Sequence, residues 1–358
     1  MVAGSERACN WFPDEYTVKK KKIMPTLALA SGTARTAPGG LLQHAIELRD
    51  AGFTVIPDAG LSAELVSDAR AAVSSELSRH HDRLSQLGLD PIESDYAWIE
   101  IDKRHRGRYS LRPTQRSAWT KLVQEAVGAA APVVEALHSL PANGDDGMLP
   151  EYTPPWSRAL LEAASSLLPP RPAVDQLGAI VSSPGAGAQR FHADAGDTHL
   201  RLARLSRRHR LFNVFVPLVD LAEGGDGTMF WPGSHLERKR LGYEAARLDA
   251  CRSYLLERDA AAMAEMAVPA CPAGGLILFD FRLQHRGMPN DSTRERALAH
   301  AVLATGGAFD RLGSEEAPSL LAAAEALSAD PADRRAQLEA IGRQQSGWWE
   351  TQQTNSAR

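Results

Sequence analysis

The sequence predicts a mainly β core with flanking α-helices, built as one domain. Two observations carry this. Residues 174–306 hold short apolar runs separated by Gly- and Pro-rich turns, whereas helical periodicity precedes them and resumes after about 313. No internal repeat or domain-scale linker divides the chain. The expected organisation is a flexible leader over 1–40, a folded domain over 41–312 and a helical extension over 313–358 packed on that domain.

The elements follow in order. AGFTVIP at 51–57 reads as a short strand ended by Pro57. Ser62 is placed to cap a helix, with Glu64 in its first turn, and Leu65, Ala69, Ala72, Val73 and Leu77 recur at helical spacing over 63–87. A second helical region at 114–140 is expected to break at Pro132. A third, at 157–168, stops before Pro169 and Pro170, after a loop at 141–156. Strand signals then follow at 177–183, 211–221, 274–285 and 296–304, with Pro217 suggesting an edge or bend in the second of these.

Composition excludes several classes. Of 358 residues, 44% are hydrophobic and 23% charged, an ordinary globular mix that excludes wholesale disorder. The 40 basic and 44 acidic residues leave a net charge of −4, so no nucleic-acid partner is expected. No apolar run approaches the roughly 20 residues of a membrane helix, so no membrane partner is expected either. Three cysteines form no CxxC pair, which favours a reducing, cytoplasmic setting. The leader carries a basic run, Lys19–Lys22, but Pro25 interrupts its short apolar part and Glu6, Asp14 and Glu15 oppose a transit peptide; organelle targeting stays open. Nothing in the sequence specifies an oligomeric state.

A ferrous site that must also admit a co-substrate and dioxygen uses two imidazoles and one carboxylate on one face of the metal. On a strand, a His-x-Asp pair turns both ligands to the same side. His192 and Asp194 meet that spacing after the Gly-rich turn SPGAGAQ. A His-x-acid pair arises about once by chance in such a chain, and His235-x-Glu237 is a second. That one opens a charged run, 237–240, and reads as a solvated turn. The distant ligand is the stronger signal. In GGLILFDFRLQH, Ile277, Phe279, Phe281, Leu283 and His285 alternate onto one face, an apolar lining that ends in an imidazole. If 276–285 and 296–304 pair as a hairpin, Arg296 shares the cavity of His285, with Arg294 as its rival. A guanidinium there would grip the far carboxylate of a 2-oxo diacid with two parallel hydrogen bonds.

Taken together, His192-x-Asp194, VFVPLVDLAEGGDGTMFWPGSH (214–235), FDFRLQHRGMPNDS (279–292) and Arg296, eleven residues after His285, resemble the phytanoyl-CoA dioxygenase (PhyH) family of iron(II)/2-oxoglutarate oxygenases. The similarity spans roughly 45–306. It implies a double-stranded β-helix, or jelly roll, with helices packed outside one sheet. It also implies Fe(II) held by His192, Asp194 and His285, with 2-oxoglutarate and O2 as co-substrates. Arg296 would anchor 2-oxoglutarate, with Asn213 and Gln189 as further contacts to it, or as amides that satisfy backbone groups; Thr228 is a weaker candidate. Halogenases of this architecture lack the carboxylate ligand, so Asp194 favours hydroxylation of a small-molecule substrate, with 2-oxoglutarate decarboxylated to succinate. A non-catalytic metal-retaining jelly roll and a protein or peptide hydroxylase are the alternatives. The basic stretches 104–113 and 201–210 are candidates for an anionic substrate, though the first reads better as a solvated loop.

Overall fold

The computed structural model describes residues 38–113, 116–141, 172–194, 210–225, 227–236, 260–305 and 319–325. The expected leader up to residue 37, the helix at 157–168, the loop from 142, the basic residues 201–209, the run 237–240 and the extension beyond 325 lie outside the described residues.

Helices over 63–86 and 118–139 form inside the regions where periodicity places them, and a further helix, over 38–50, precedes them without a sequence expectation. Helix α1 (Pro38–Asp50) leads into β1 (Phe53–Ile56), and α2 (Ala63–Gln86) starts at Ser62, whose side chain accepts from the Leu65 backbone N–H. A hairpin, β2 (Ile101–His105) and β3 (Arg108–Leu111), precedes α3 (Ala118–Ser139). Pro132 does not break α3, contrary to the sequence expectation. Proline deletes one helical hydrogen bond, but Ala126, Val127, Ala130, Val133 and Val134 are buried on both sides of it. Tertiary packing of that face outweighs the local cost.

The β core is antiparallel throughout the described pairings. With β4 (Ala173–Ser182), β5 (Arg210–Pro217), β7 (Leu276–Asp280) and β9 (Arg296–Thr305), the large sheet runs β1-β7-β5-β9-β4-β3-β2. A small sheet pairs β6 (Thr228–Phe230) with β8 (His285–Gly287), and bridges from Ala186, His192 and Ala267 extend it. Short helices α4 (Ala260–Ala264) and α5 (Leu320–Glu325) complete the described elements. Glu100 ties α5 down by accepting from the Ser319 hydroxyl and the Leu320 N–H.

Alternation along the strands divides the core in two. Ala179, Val181, Val214, Val216, Leu276, Leu278, Ala297, Ala299 and Ala301 face outward and pack with α1, α2 and α3. Phe215, Ile277, Phe279 and Leu298 face inward, where they join Phe230 of the small sheet. Burial of each such large apolar side chain contributes about 1.5–3 kcal/mol. The result is two facing sheets with helices outside the larger one, the jelly-roll arrangement.

Three expectations need correction. The stretch 274–285 is not one strand in a hairpin with 296–304. It is β7 in the large sheet and β8 in the small one, and β9 pairs with β4 and β5 instead. Asp280 makes the break: its carboxylate accepts from the Arg282 backbone N–H and its carbonyl from Leu283 N–H, a local turn that carries the chain across. Second, β5 lies between β7 and β9, so Pro217 marks the end of a central strand and not an edge. Third, the basic stretch at 104–113 contributes a strand whose Arg108 is buried. No helix among the described residues is long and apolar enough to cross a membrane.

Candidate metal centre

The chain pairing of the small sheet brings the three expected ligands together. The backbones of His192 and His285 exchange both N–H···O bonds, at 2.9 and 2.8 Å. Residues directly opposed in an antiparallel pair project to the same side, and the two imidazole rings lie 4.5 Å apart between centroids. Two residues beyond His192, Asp194 stands between them. One carboxylate oxygen is 3.7 Å from His192 Nε2 and the other 3.6 Å from His285 Nε2. Both separations exceed an N–H···O hydrogen bond. One ligand atom from each of the three residues lies within 4.8 Å of the other two.

The outer nitrogens settle which ring atoms face inward. His192 Nδ1 lies 2.9 Å from the Arg190 carbonyl and His285 Nδ1 3.0 Å from the Leu283 carbonyl. Nδ1–H donates in both cases, which leaves a lone pair on each Nε2 directed at the shared space. That is the usual preparation of metal-ligating imidazoles. Burial pushes the His285 imidazole down to about 4, with His192 adding to the effect and Asp194 opposing it, so His285 is neutral and ready to ligate at physiological pH. The donor set of two neutral nitrogens and one carboxylate oxygen fits a first-row divalent ion such as ferrous iron.

Aromatic residues wall one side. Phe279 lies 5.0 Å and Phe230 6.2 Å from the His285 ring. The His192 side chain is 39% exposed against 6% for His285, so the centre opens on the His192 side.

The remaining expected residues fall as follows. Asn213, on the inner face of β5, donates from its side-chain nitrogen to Asp194 at 2.8 Å. Gln189 accepts from the Gly287 backbone N–H at 3.0 Å. Each amide therefore satisfies a group of the site's own framework. Arg296 is buried on the inner face of β9, and its guanidinium donates to the carbonyls of Pro289, at 2.8 Å, and Met288. Its rival Arg294 sits exposed in the preceding turn. Thr228 is buried opposite Gly287. His235 is not the solvated residue its sequence context suggests: it is buried, and its Nε2 lies 3.0 Å from the Arg49 carbonyl.

Sequence reasoning undervalued Arg108. It is 3% exposed and faces the same interior as Arg296. The available signal was the alternation of Tyr109 and Leu111, which marks a strand and turns Arg108 to the face opposite them.

Comparison with known proteins gives the following. The family model for phytanoyl-CoA dioxygenase (PhyH) matches residues 48–298. The non-haem α-ketoglutarate-dependent epimerase SnoN from nogalamycin biosynthesis is 15% identical, with a TM-score of 0.44 over 75% of this chain and 82% of that one. AviO1 from Streptomyces viridochromogenes Tue57 is 18% identical, with a TM-score of 0.42 over 77% and 99%. EctD from S. alaskensis, solved with 2-oxoglutarate and 5-hydroxyectoine, is 18% identical, with a TM-score of 0.41 over 74% and 75%.

Proposed function

Because this chain belongs to the phytanoyl-CoA dioxygenase family, we propose that it is a non-haem Fe(II)/2-oxoglutarate-dependent oxygenase that hydroxylates a small-molecule substrate. The observation that carries this reading is the convergence of His192, Asp194 and His285 with both Nε2 atoms directed inward. Three protein ligands leave room for a chelating co-substrate and dioxygen, whereas structural metals favour four closed ligands.

His192, Asp194 and His285 would hold the iron. When bound, ferrous iron supplies activation of O2 coupled to decarboxylation of 2-oxoglutarate to succinate and carbon dioxide. The protein supplies the positioning. Carbonyls of Arg190 and Leu283 hold the imidazoles in one tautomer and orientation. Asn213 fixes the Asp194 carboxylate by donating to one of its oxygens. Arg296 supplies a permanent positive charge on the inner face for the far carboxylate of 2-oxoglutarate. Phe230, Phe279 and Leu283 keep water from the closed side. Substrate would approach from the open His192 side. The carboxylate ligand favours oxygen insertion over halogen transfer, since Asp194 takes the place a halide would need.

The test replaces one ligand. His192→Ala is expected to abolish stoichiometric Fe(II) binding and 2-oxoglutarate-dependent succinate formation while the fold survives. Undiminished succinate formation by that variant would remove the assignment.

A further inference from the structure

We propose that Arg286 is a positioning residue for the metal centre: its guanidinium, laid over the Phe191 ring on the back of the small sheet, holds His192 and His285 opposite each other before an ion arrives. The inference rests on the reading of His192, Asp194 and His285 as metal ligands and assigns the contact that pre-organises the two imidazoles.

Alternation on the small sheet gives two neighbouring rows. Phe230 pairs with His285 and His285 bridges His192, so these three form the inner row. One residue along, Met229 pairs with Arg286, and the antiparallel bridge sets Phe191 opposite Arg286. This second row points the other way. Phe230 joins the interior cluster with Phe279 and Leu283, whereas Phe191 packs with Met229, Trp231, Met263 and Met266 on the back. Arg286 Cζ lies 4.8 Å from the centroid of the Phe191 ring, inside the range of about 6 Å for a cation–π contact. Phe191 is buried and Arg286 half-buried. Partial shielding from water strengthens such a contact relative to one on an open surface.

The inner face supplies little of this hold. The separations from Asp194 to the two Nε2 atoms, 3.7 and 3.6 Å, exceed hydrogen-bond length. Each Nδ1 is engaged by a carbonyl, so both Nε2 lone pairs and the carboxylate charge face one space. These electron-rich groups repel one another until a cation enters. Backbone pairing is short as well: β8 has three residues, and the chain opposite it meets His285 at a single bridge, His192. Brief two-stranded pairings are marginal by themselves.

Arg286 and Phe191 act across the same two chain segments, one residue from each histidine. Their attraction opposes the repulsion on the inner face and leaves the metal side clear. A guanidinium also suits the place better than an ammonium, because it lies flat on a ring and is more weakly hydrated. Lysine at this position is therefore a partial substitute.

The experiment reads amide exchange in the metal-free full-length protein and, separately, anaerobic Fe(II) affinity. Arg286→Met keeps an apolar stem and removes the charge; Phe191→Leu keeps apolar bulk and removes the ring face. Each should quicken deuterium exchange at the His192 and His285 amides about 3- to 30-fold and weaken Fe(II) binding by a similar factor. The double variant should be no worse than either single one, because both remove the same contact. Arg286→Lys should recover part of both losses. Exchange or Fe(II) affinity within twofold of wild type in Arg286→Met, additive losses in the double variant, or a lysine variant as impaired as the methionine one would overturn the proposal. Should Phe191→Leu fail to fold, the methionine and lysine variants at half-buried Arg286 decide it alone. Failure of the wild-type protein to bind Fe(II) would instead overturn the reading beneath it, and the exchange rates would still test the contact.

Discussion

Asn213 is placed to orient a proposed metal ligand, Asp194, through a hydrogen bond. Its amide donates to the Asp194 oxygen that lies nearer His285. A carboxylate with one oxygen committed to a hydrogen bond loses rotational freedom and presents its other oxygen in a fixed direction. Asn213→Ala is therefore expected to weaken Fe(II) binding about 10- to 100-fold, whereas Asn213→Gln places the donor out of register and does not restore it. Anaerobic metal titration checks this. The family resemblance pointed to Asn213 as a contact for the co-substrate or as an amide that satisfies backbone groups. It could not reveal the partner, because Asp194 reaches it only when the chain after β4 folds back over the large sheet. His192, Asp194 and His285 were readable for a local reason: spacing and alternation determine which way each points. Arg108 was obscured by the four other basic side chains of 104–113, which read as a solvated loop.

At the scale of elements, the informative feature is the turn at Asp280. A ten-residue apolar alternation reads as one strand, and periodicity has no term for a carboxylate that captures the backbone two residues on. Asp280 is 4% exposed, and Arg282 pairs with it through two hydrogen bonds of 2.8 and 2.7 Å. Burial alone would raise this carboxyl. The Arg282 charge and hydrogen bonds, with His235 and Arg210 adding, hold it well below the usual carboxylate range. A folded-state pKa below the unfolded one contributes stability that is present above the unfolded carboxyl value of about 4 and is lost progressively below it, as pH falls through the lower folded value. Denaturant titrations of wild type should show this acid loss. Asp280→Asn should lack that component and be less stable at neutral pH by about 3 kcal/mol, since it removes one charge of a buried, doubly hydrogen-bonded ion pair. Local hydrogen bonding of this kind also explains why 274–285 contributes to two sheets while Ile277, Phe279 and Leu283 still gather in one apolar cluster.

Across the whole molecule, α2, α3 and the β core over 173–305 were evident because segment-scale periodicity survives into the fold. Which strands adjoin was not. The β7–β5–β9 neighbours arise from long-range pairing that no window of sequence contains. Pro132 makes the same point in reverse. Its local penalty is real, and it yields to a helix buried along most of its length.

The backbone bond between His192 and His285 has one more consequence. It joins two chain segments that are distant in sequence, and beside it the Asn290 N–H donates to the Ala186 carbonyl and the Gly185 N–H to the Asn290 carbonyl. An ion held by those histidines and Asp194 would act as a clasp across that seam. Stripping it should loosen the rim first. Deuterium uptake by the amides of 186–192 and 285–290 is expected to quicken in metal-free protein, while β4, β5 and β9 keep their protection.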